Sequence, residues 1–230
     1  LLFLLVLINA GLKAQMLNKK EVFTNADTLR GGNGPGRNWW DATKYDIYVK
    51  FNIEDSTISG WNEIQFKTLK KGSVMQIDLQ EPLEIDSIFL TYSIYRGTKR
   101  SGKVENYKRD GNAFFILDMD FNKETNGALT VYYHGKPQIA RRPPWDGGLI
   151  WKKDTNNNPW VSIACQGLGA SVWYPCKDIQ SDEPDSAEMH VTIPDSLVAV
   201  GNGRFRGKTN NGDGTATYDW AVTSPINNYT

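Results

Sequence analysis

The chain has 230 residues, of which 40% are hydrophobic and 23% are charged. This balance excludes a disordered chain and a string of membrane spans, and it is typical of a folded protein large enough to bury a core. Its 26 basic and 26 acidic residues cancel, so charge gives no reason to expect nucleic acid or an anionic membrane as a partner.

The chain opens on a continuous apolar run, residues 1–8, which small and polar residues follow as far as Gln15. The run is too short to span a bilayer and is typical of a secretory signal peptide. Residues 1–15 are therefore predicted to be a signal peptide of an exported protein, periplasmic or extracellular; a buried strand or anchor is the alternative. No cysteine precedes Cys165, so no stable membrane anchor is expected. The missing initiator methionine and the abrupt end at Thr230 suggest a fragment of a longer protein.

A glycine-rich lead-in, residues 16–38, is expected to be flexible, and the domain proper is predicted to cover residues 39–230. Residues 45–53 alternate apolar and polar side chains, which predicts a strand with one buried face, and residues 60–69 form its hairpin partner. Further short strands are predicted at residues 75–79, 85–95, 113–119, 129–134, 160–165, 189–193, 197–200, 203–209 and 215–222. No helical repeat interrupts them, so the predicted class is all-β, with antiparallel sheets packed as a sandwich.

Several polar groups have an ordinary structural interpretation. Six basic residues within positions 96–109 predict a solvated hairpin loop rather than an anion site, because the whole chain is neutral. The acidic residues at positions 182, 183 and 185 favour a solvated turn over a cation site. His134 and His190 are expected to be half-buried in or at the end of strands. Neither begins the metalloprotease motif His-Glu-x-x-His, so no metal site is predicted within this chain.

The chain contains eight tryptophans, which is compatible with a stand-alone secreted β-sandwich that binds a carbohydrate or a protein. Exposed aromatic rings are a common way for such domains to hold ligands. Trp39, Trp40, Trp145 and Trp151 lie near predicted loops and are the candidates for this second hypothesis.

The most unusual stretch is residues 160–178, in which an apolar strand runs into Gln166, Gly167 and Gly169. The glycines let backbone amides and the glutamine amide approach a ligand closely, so these three residues form a candidate binding site. A β-bulge with a structural glutamine is an equal alternative. Cys165 and Cys176 lie in the same stretch. In an oxidising compartment they could form a disulfide or remain two separate thiols, and the sequence leaves both options open.

This stretch and three other segments together resemble the N-terminal domain of the zinc aminopeptidase family, which includes aminopeptidase N and leukotriene hydrolase. The resemblance covers residues 40–230. The segments that carry it are, in order, the strand pair with Ile58-Ser59-Gly60 between, Ile77-Asp78-Leu79, Cys165-Gln166-Gly167, Pro175-Cys176-Lys177-Asp178 and residues 223–229.

The resemblance implies a saddle-like β domain of an exported zinc aminopeptidase, an enzyme that removes N-terminal residues from peptides. It implies that Gln166 contacts the first residue of a peptide substrate with a free N-terminus. The residues expected near it are Gly167 and Gly169, with a rim loop that contains Trp145, Gly147 and Gly148.

The family's zinc-binding helix and its Gly-x-Met-Glu-Asn loop do not occur in this chain. The zinc cofactor of the parent protein would therefore be bound by a catalytic domain outside the chain, which becomes an expected partner. On its own, the chain is expected to be catalytically inactive.

Overall fold

The computed structural model describes residues 22–94 and 98–227, and most regular structure in these ranges is β-strand. The strands are β1 (Trp40–Asn52), β2 (Thr57–Thr68), β3 (Met75–Asp78), β4 (Glu84–Ser93), β5 (Lys99–Lys103), β6 (Tyr107–Asp110), β7 (Ala113–Ile116), β8 (Asn126–Gly135), β9 (Gly148–Lys153), β10 (Pro159–Ala164), β11 (Ser186–Pro194), β12 (Arg204–Asn210) and β13 (Thr215–Thr223). One short helix, α1 (Asn25–Leu29), precedes them. No helix in the described ranges is long and apolar enough to cross a membrane. The predicted signal peptide lies outside the described residues.

The largest element is an eight-stranded sheet with the order β12-β13-β11-β1-β2-β8-β4-β5. β1 and β2 pair antiparallel along their whole length, which confirms the predicted hairpin. β1 also pairs with β11 in parallel, but the other strand pairs of the described residues are antiparallel, so the predicted antiparallel sheets are confirmed. The all-β class is confirmed.

Two small sheets complete the fold and share one hydrophobic core with the large sheet. Alternation places Tyr45, Ile47 and Val49 of β1 on the buried face. The three-stranded sheet β3-β7-β6 adds β3, in which all four residues are buried. The two-stranded sheet of β9 and β10 joins the core through Trp151, whose ring lies 6.2 Å from Phe51.

Two local predictions are wrong. Residues 96–109 are not simply a loop, because they contain β5 and β6. β5 is the last strand of the large sheet and all five of its residues are exposed, so its basic side chains protect a sheet edge from pairing with other chains. Residues 197–200, predicted as a strand, form none. The backbone there is held instead by the Tyr218 hydroxyl, which donates to Leu197 O at 2.9 Å.

The predicted solvated acidic turn is wrong for one residue. Asp182 is buried and forms an ion pair with the buried Lys177. Lys177 Nζ also donates to Trp40 O and lies 4.5 Å from the centre of the Trp40 ring. The Asp182 carboxylate is buried because the buried ammonium group of Lys177 needs a partner of opposite charge.

Packed structure extends into the predicted lead-in. Arg37 is buried, and its Nη2 donates to both carboxylate oxygens of Asp78 at 2.5 Å. Its Nη1 donates to Leu29 O at 2.9 Å and to Gly32 O at 2.8 Å. This side chain thus connects the segment after α1 to the end of β3.

Candidate functional site

The candidate site is built on the turn that follows β10. Cys165 O accepts hydrogen bonds from Leu168 N at 3.0 Å and from Gly169 N at 2.9 Å, which closes the turn. Gly167 has a φ of 69° and Gly169 a φ of 88°, values that residues with a β-carbon rarely adopt. The turn therefore depends on these two glycines, and it leaves Gln166 exposed to solvent.

Side chains from outside the turn hold its backbone in place through hydrogen bonds. Gln80 Nε2 donates to Leu168 O at 2.6 Å and to Ser171 Oγ at 3.0 Å. Asp178 accepts from Ser171 Oγ at 2.6 Å and from Ser171 N at 3.2 Å. A β-carbon at Gly169 would overlap the Asp178 carboxylate, so the glycine also makes room for this network.

The network continues to the buried Arg37–Asp78 ion pair. Asp178 N donates to Asp78 Oδ2 at 3.1 Å. The backbones of Asp78 and Cys176 exchange two hydrogen bonds, of 2.7 and 3.0 Å. Polar contacts thus run without interruption from Arg37 to the turn that presents Gln166, which fixes the position of that turn in the fold.

The turn forms one wall of an open groove of about 590 Å³. The groove is lined by Gln138, Ile139, Arg141, Arg142, Trp145, Asp146, Gly147, Gln166, Gly167 and Leu168. Four of the residues singled out from the sequence, Gln166, Gly167, Trp145 and Gly147, are therefore brought together. Gly169 is not one of the lining residues. It lies in the turn itself, where it packs against the Asp178 carboxylate.

The predicted rim loop packs directly against the turn. A β-carbon on Gly147 would lie 2.7 Å from the Leu168 side chain, so the loop approaches as closely as a glycine permits. Gly148 does not line the groove; it begins β9 with a φ of 137°. A β-carbon on it would lie 2.5 Å from Ala140 N. Trp145, at the tip of the loop, is 78% exposed.

Residues 138–142 complete the groove, although no motif in the sequence marks them as part of a site. Leu149 N donates to Gln138 O at 2.7 Å, and Ala140 N donates to Leu149 O at 3.0 Å. These two backbone hydrogen bonds fix the segment against β9. The side chains of Arg142 and Asp146 lie 3.4 Å apart. The segment has no periodic pattern or glycine cluster that could have identified it.

No disulfide joins Cys165 and Cys176, which decides between the two options that the sequence left open. Cys176 is fully buried. Burial, with a further contribution from the negative charge of Asp178, raises the pKa of the Cys165 thiol to about 12.

Native Cys165 is expected to resist alkylation. With a pKa of about 12, only about 1 in 10⁴ of its thiols is ionised at pH 8, and the thiolate is the reactive form. Iodoacetamide at pH 8, followed by mass spectrometry, should leave the folded chain unmodified and add two groups after denaturation. Rapid single labelling of the folded chain would contradict this assignment.

The four candidate tryptophans do not together form the exposed aromatic surface that a carbohydrate-binding or protein-binding module would need. Trp39 and Trp40 are buried, with 2% and 0% exposure. Trp151 is half-buried and packs on the core. Trp145 alone of these four candidates presents most of its ring to solvent, so the candidates share no exposed platform for a sugar.

No family model and no curated protein matches the sequence. Solved structures do match in fold. An M1 zinc metallopeptidase from Deinococcus radiodurans matches 84% of this chain and 40% of its own, with 18% identity and a TM-score of 0.60. A mutant of the Deinococcus enzyme bound to a Tyr-Ser-Ala substrate matches 81% and 40% of the two chains, with 18% identity and a TM-score of 0.58.

A leukotriene A4 hydrolase from Saccharomyces cerevisiae matches 83% of this chain and 28% of its own, with 17% identity and a TM-score of 0.56. The chain thus spans 40% or less of the length of these three structures. It has the fold of part of a zinc metallopeptidase, and the resemblance seen in the sequence is confirmed at the level of fold.

Proposed function

We propose that the chain is the substrate-anchoring β domain of an exported zinc aminopeptidase that removes N-terminal residues from peptides. One observation carries the proposal: the Trp145 loop before β9 and the Gln166 turn after β10 line one groove in a chain with this fold. The proposed partners are a peptide with a free N-terminus and a catalytic domain of the same protein. The proposed location, periplasmic or extracellular, rests on the apolar run at residues 1–8.

Gln166 is chemically suited to recognise the start of a peptide. Its Oε1 can accept a hydrogen bond from the substrate ammonium group, and its Nε2 can donate to the first peptide carbonyl. Because the amide is neutral, it can do both without requiring a counter-charge. The exposed Trp145 ring offers apolar surface at the rim of the same groove.

The groove does not fit a zinc ion. Asp146 is the one carboxylate among the residues that line the groove, and it forms an ion pair with Arg142. No histidine or cysteine is among these lining residues. Zinc in such sites is bound by three or four of these ligand types. In the proposed enzyme, zinc and the hydrolytic chemistry belong to the catalytic domain, and this chain binds and orients the substrate.

Replacing Gln166 with alanine in the full-length enzyme is expected to lower kcat/KM for short peptides by about 10- to 150-fold. This corresponds to about 1.5–3 kcal/mol, the order for one hydrogen bond to a charged group. The reading frame beyond Thr230 is first extended, and it is expected to encode Gly-x-Met-Glu-Asn and then His-Glu-x-x-His. Hydrolysis of a tripeptide and of its N-acetylated form is then compared in the two proteins.

Gln138→Ala is the matched control, because Gln138 lines the same groove but lies outside the glycine turn. It is expected to retain kcat/KM within about threefold, since the proposal gives its amide no contact with the substrate ammonium group. Unchanged turnover in Gln166→Ala would exclude the anchoring role. An unrelated sequence after Thr230 would exclude the aminopeptidase itself.

A further inference from the structure

A second cluster of polar side chains lies on the large sheet, away from the groove. Asp46 of β1 and Glu188 and His190 of β11 each place one potential ligand atom within 4.8 Å of the others. The parallel register sets Asp46 beside Glu188 and Tyr48 beside His190. Side chains that are neighbours in register point to the same face of a sheet, so backbone pairing, not a loop, holds the cluster together.

The imidazole of His190 is fixed in a single orientation. Its Nδ1 lies 2.7 Å from Asp219 Oδ1 on β13, which leaves Nε2 facing Asp46 Oδ1 at 3.1 Å. The ring of Tyr48 stacks on the imidazole at 4.0 Å, and the ring of Trp61 stacks on Tyr48 at 3.7 Å. A histidine that is oriented by a carboxylate on one nitrogen and directs the other toward acidic groups has the arrangement found at protein metal sites.

The charge around the cluster independently indicates a cation. The antiparallel register sets Glu63 of β2 beside Asp46, so Glu63, Asp46 and Glu188 form a row across three neighbouring strands. Like charges directly beside each other destabilise a sheet. Among the described residues, the lysine shown in contact with this row is Lys44, whose Nζ lies 3.0 Å from Glu188 Oε1. Within the described part of the chain, the carboxylates of the row outnumber the basic side chains shown in contact with it.

We propose that Asp46, Glu188 and Nε2 of His190 bind one divalent transition-metal ion, with water completing its coordination. An imidazole together with two carboxylates favours Zn²⁺ over Mg²⁺ and Ca²⁺, which prefer oxygen ligands alone. The bound ion would join β1 to β11, the parallel pair that connects the first strand of the large sheet to its C-terminal strands. The sequence suggests no such site because residues 46 and 188 are distant in the chain and belong to no spacing motif.

The test is Zn²⁺ binding by the untagged 230-residue chain after treatment with EDTA, measured by calorimetry and by X-ray absorption. We expect one Zn²⁺ per chain, nitrogen and oxygen ligands without sulfur, and a higher Tm. Asp219→Asn keeps all three ligands but replaces the carboxylate that orients His190 with a neutral amide, so it should weaken binding by about 10- to 100-fold. His190→Gln should weaken it further.

His134→Gln is the matched control, because His134 is the other histidine of the chain and also contacts an aspartate, Asp86, at 2.7 Å. It should bind Zn²⁺ like the unmodified chain. Circular dichroism establishes that each variant is folded. Absence of binding, sulfur ligands, or equal affinity in folded His190→Gln would overturn the proposal and leave His190 as a positively charged bridge between Asp46 and Asp219. None of these readouts depends on peptidase activity, so the result is separate from the proposed function.

Discussion

Replacing Arg37 with methionine is expected to lower the free energy of unfolding by about 3–5 kcal/mol, because it leaves a buried charge without its partner. Asp78 is the group affected: both of its carboxylate oxygens accept from Arg37, and the side chains of Arg37 and Asp78 are 1% and 7% exposed. Unfolding in urea, followed by tryptophan fluorescence, measures the change. The same hydrogen-bond network supports the Gln166 turn, so the backbone of that turn should become more mobile when Arg37 is replaced.

Two further variants make this prediction specific. Lys71→Met breaks an ion pair with Asp120 whose side chains are 72% and 86% exposed, and it should leave stability unchanged because solvent screens exposed pairs. The double variant Arg37→Met with Asp78→Asn removes both buried charges, so it should cost less than the sum of the two single changes. Additive losses would mean that the pair does not act as a unit.

Replacing Gly169 with alanine is expected to cost about 3–5 kcal/mol of stability. Its φ of 88° and ψ of 178° lie in a region that is essentially restricted to glycine, where strain amounts to about 1–3 kcal/mol. The added β-carbon would also displace the Asp178 carboxylate and its bonds to Ser171, each worth about 1 kcal/mol. Urea unfolding of the 230-residue chain measures the total.

Gly167→Ala is the natural comparison, because Gly167 lies in the same turn with a φ of 69° and nothing within 4 Å of the position of an added β-carbon. It should cost about 1–2 kcal/mol, the backbone strain alone. Equal losses at Gly167 and Gly169 would show that the contact with Asp178 contributes nothing.

Much of the fold could be predicted because it follows from local patterns. The alternation at residues 45–53 and 60–69 gave the hairpin of β1 and β2, since a period of two places every second side chain on the core face. Residues 197–200 were misassigned because a short apolar run can equally be a loop segment tied down by a distant side chain, here Tyr218. β5 was missed because an exposed edge strand rich in lysine and arginine has no buried face to produce alternation.

The candidate site could be predicted only in part. Gln166 and Gly167 were identified because glycines beside a polar residue mark a special backbone conformation. Trp145 was identified as a tryptophan near a predicted loop, and its place beside Gln166, like that of Gly147, came from the resemblance to a family. Gln138 and Arg141 had no signal of either kind, because their place in the groove depends on the backbone contact between residues 138–140 and β9.

By itself the sequence determined the all-β class, most strand positions and the unusual glycine-containing stretch around Gln166, because these depend on neighbours a few residues apart. The tertiary structure alone decided the parallel pairing of β1 with β11 and the burial of Arg37 against Asp78. The tertiary structure also brings Asp46 close to Glu188 and His190. Each of these joins residues that are distant in the chain, and no local pattern specifies which distant residues become neighbours when the sheets pair and the core closes.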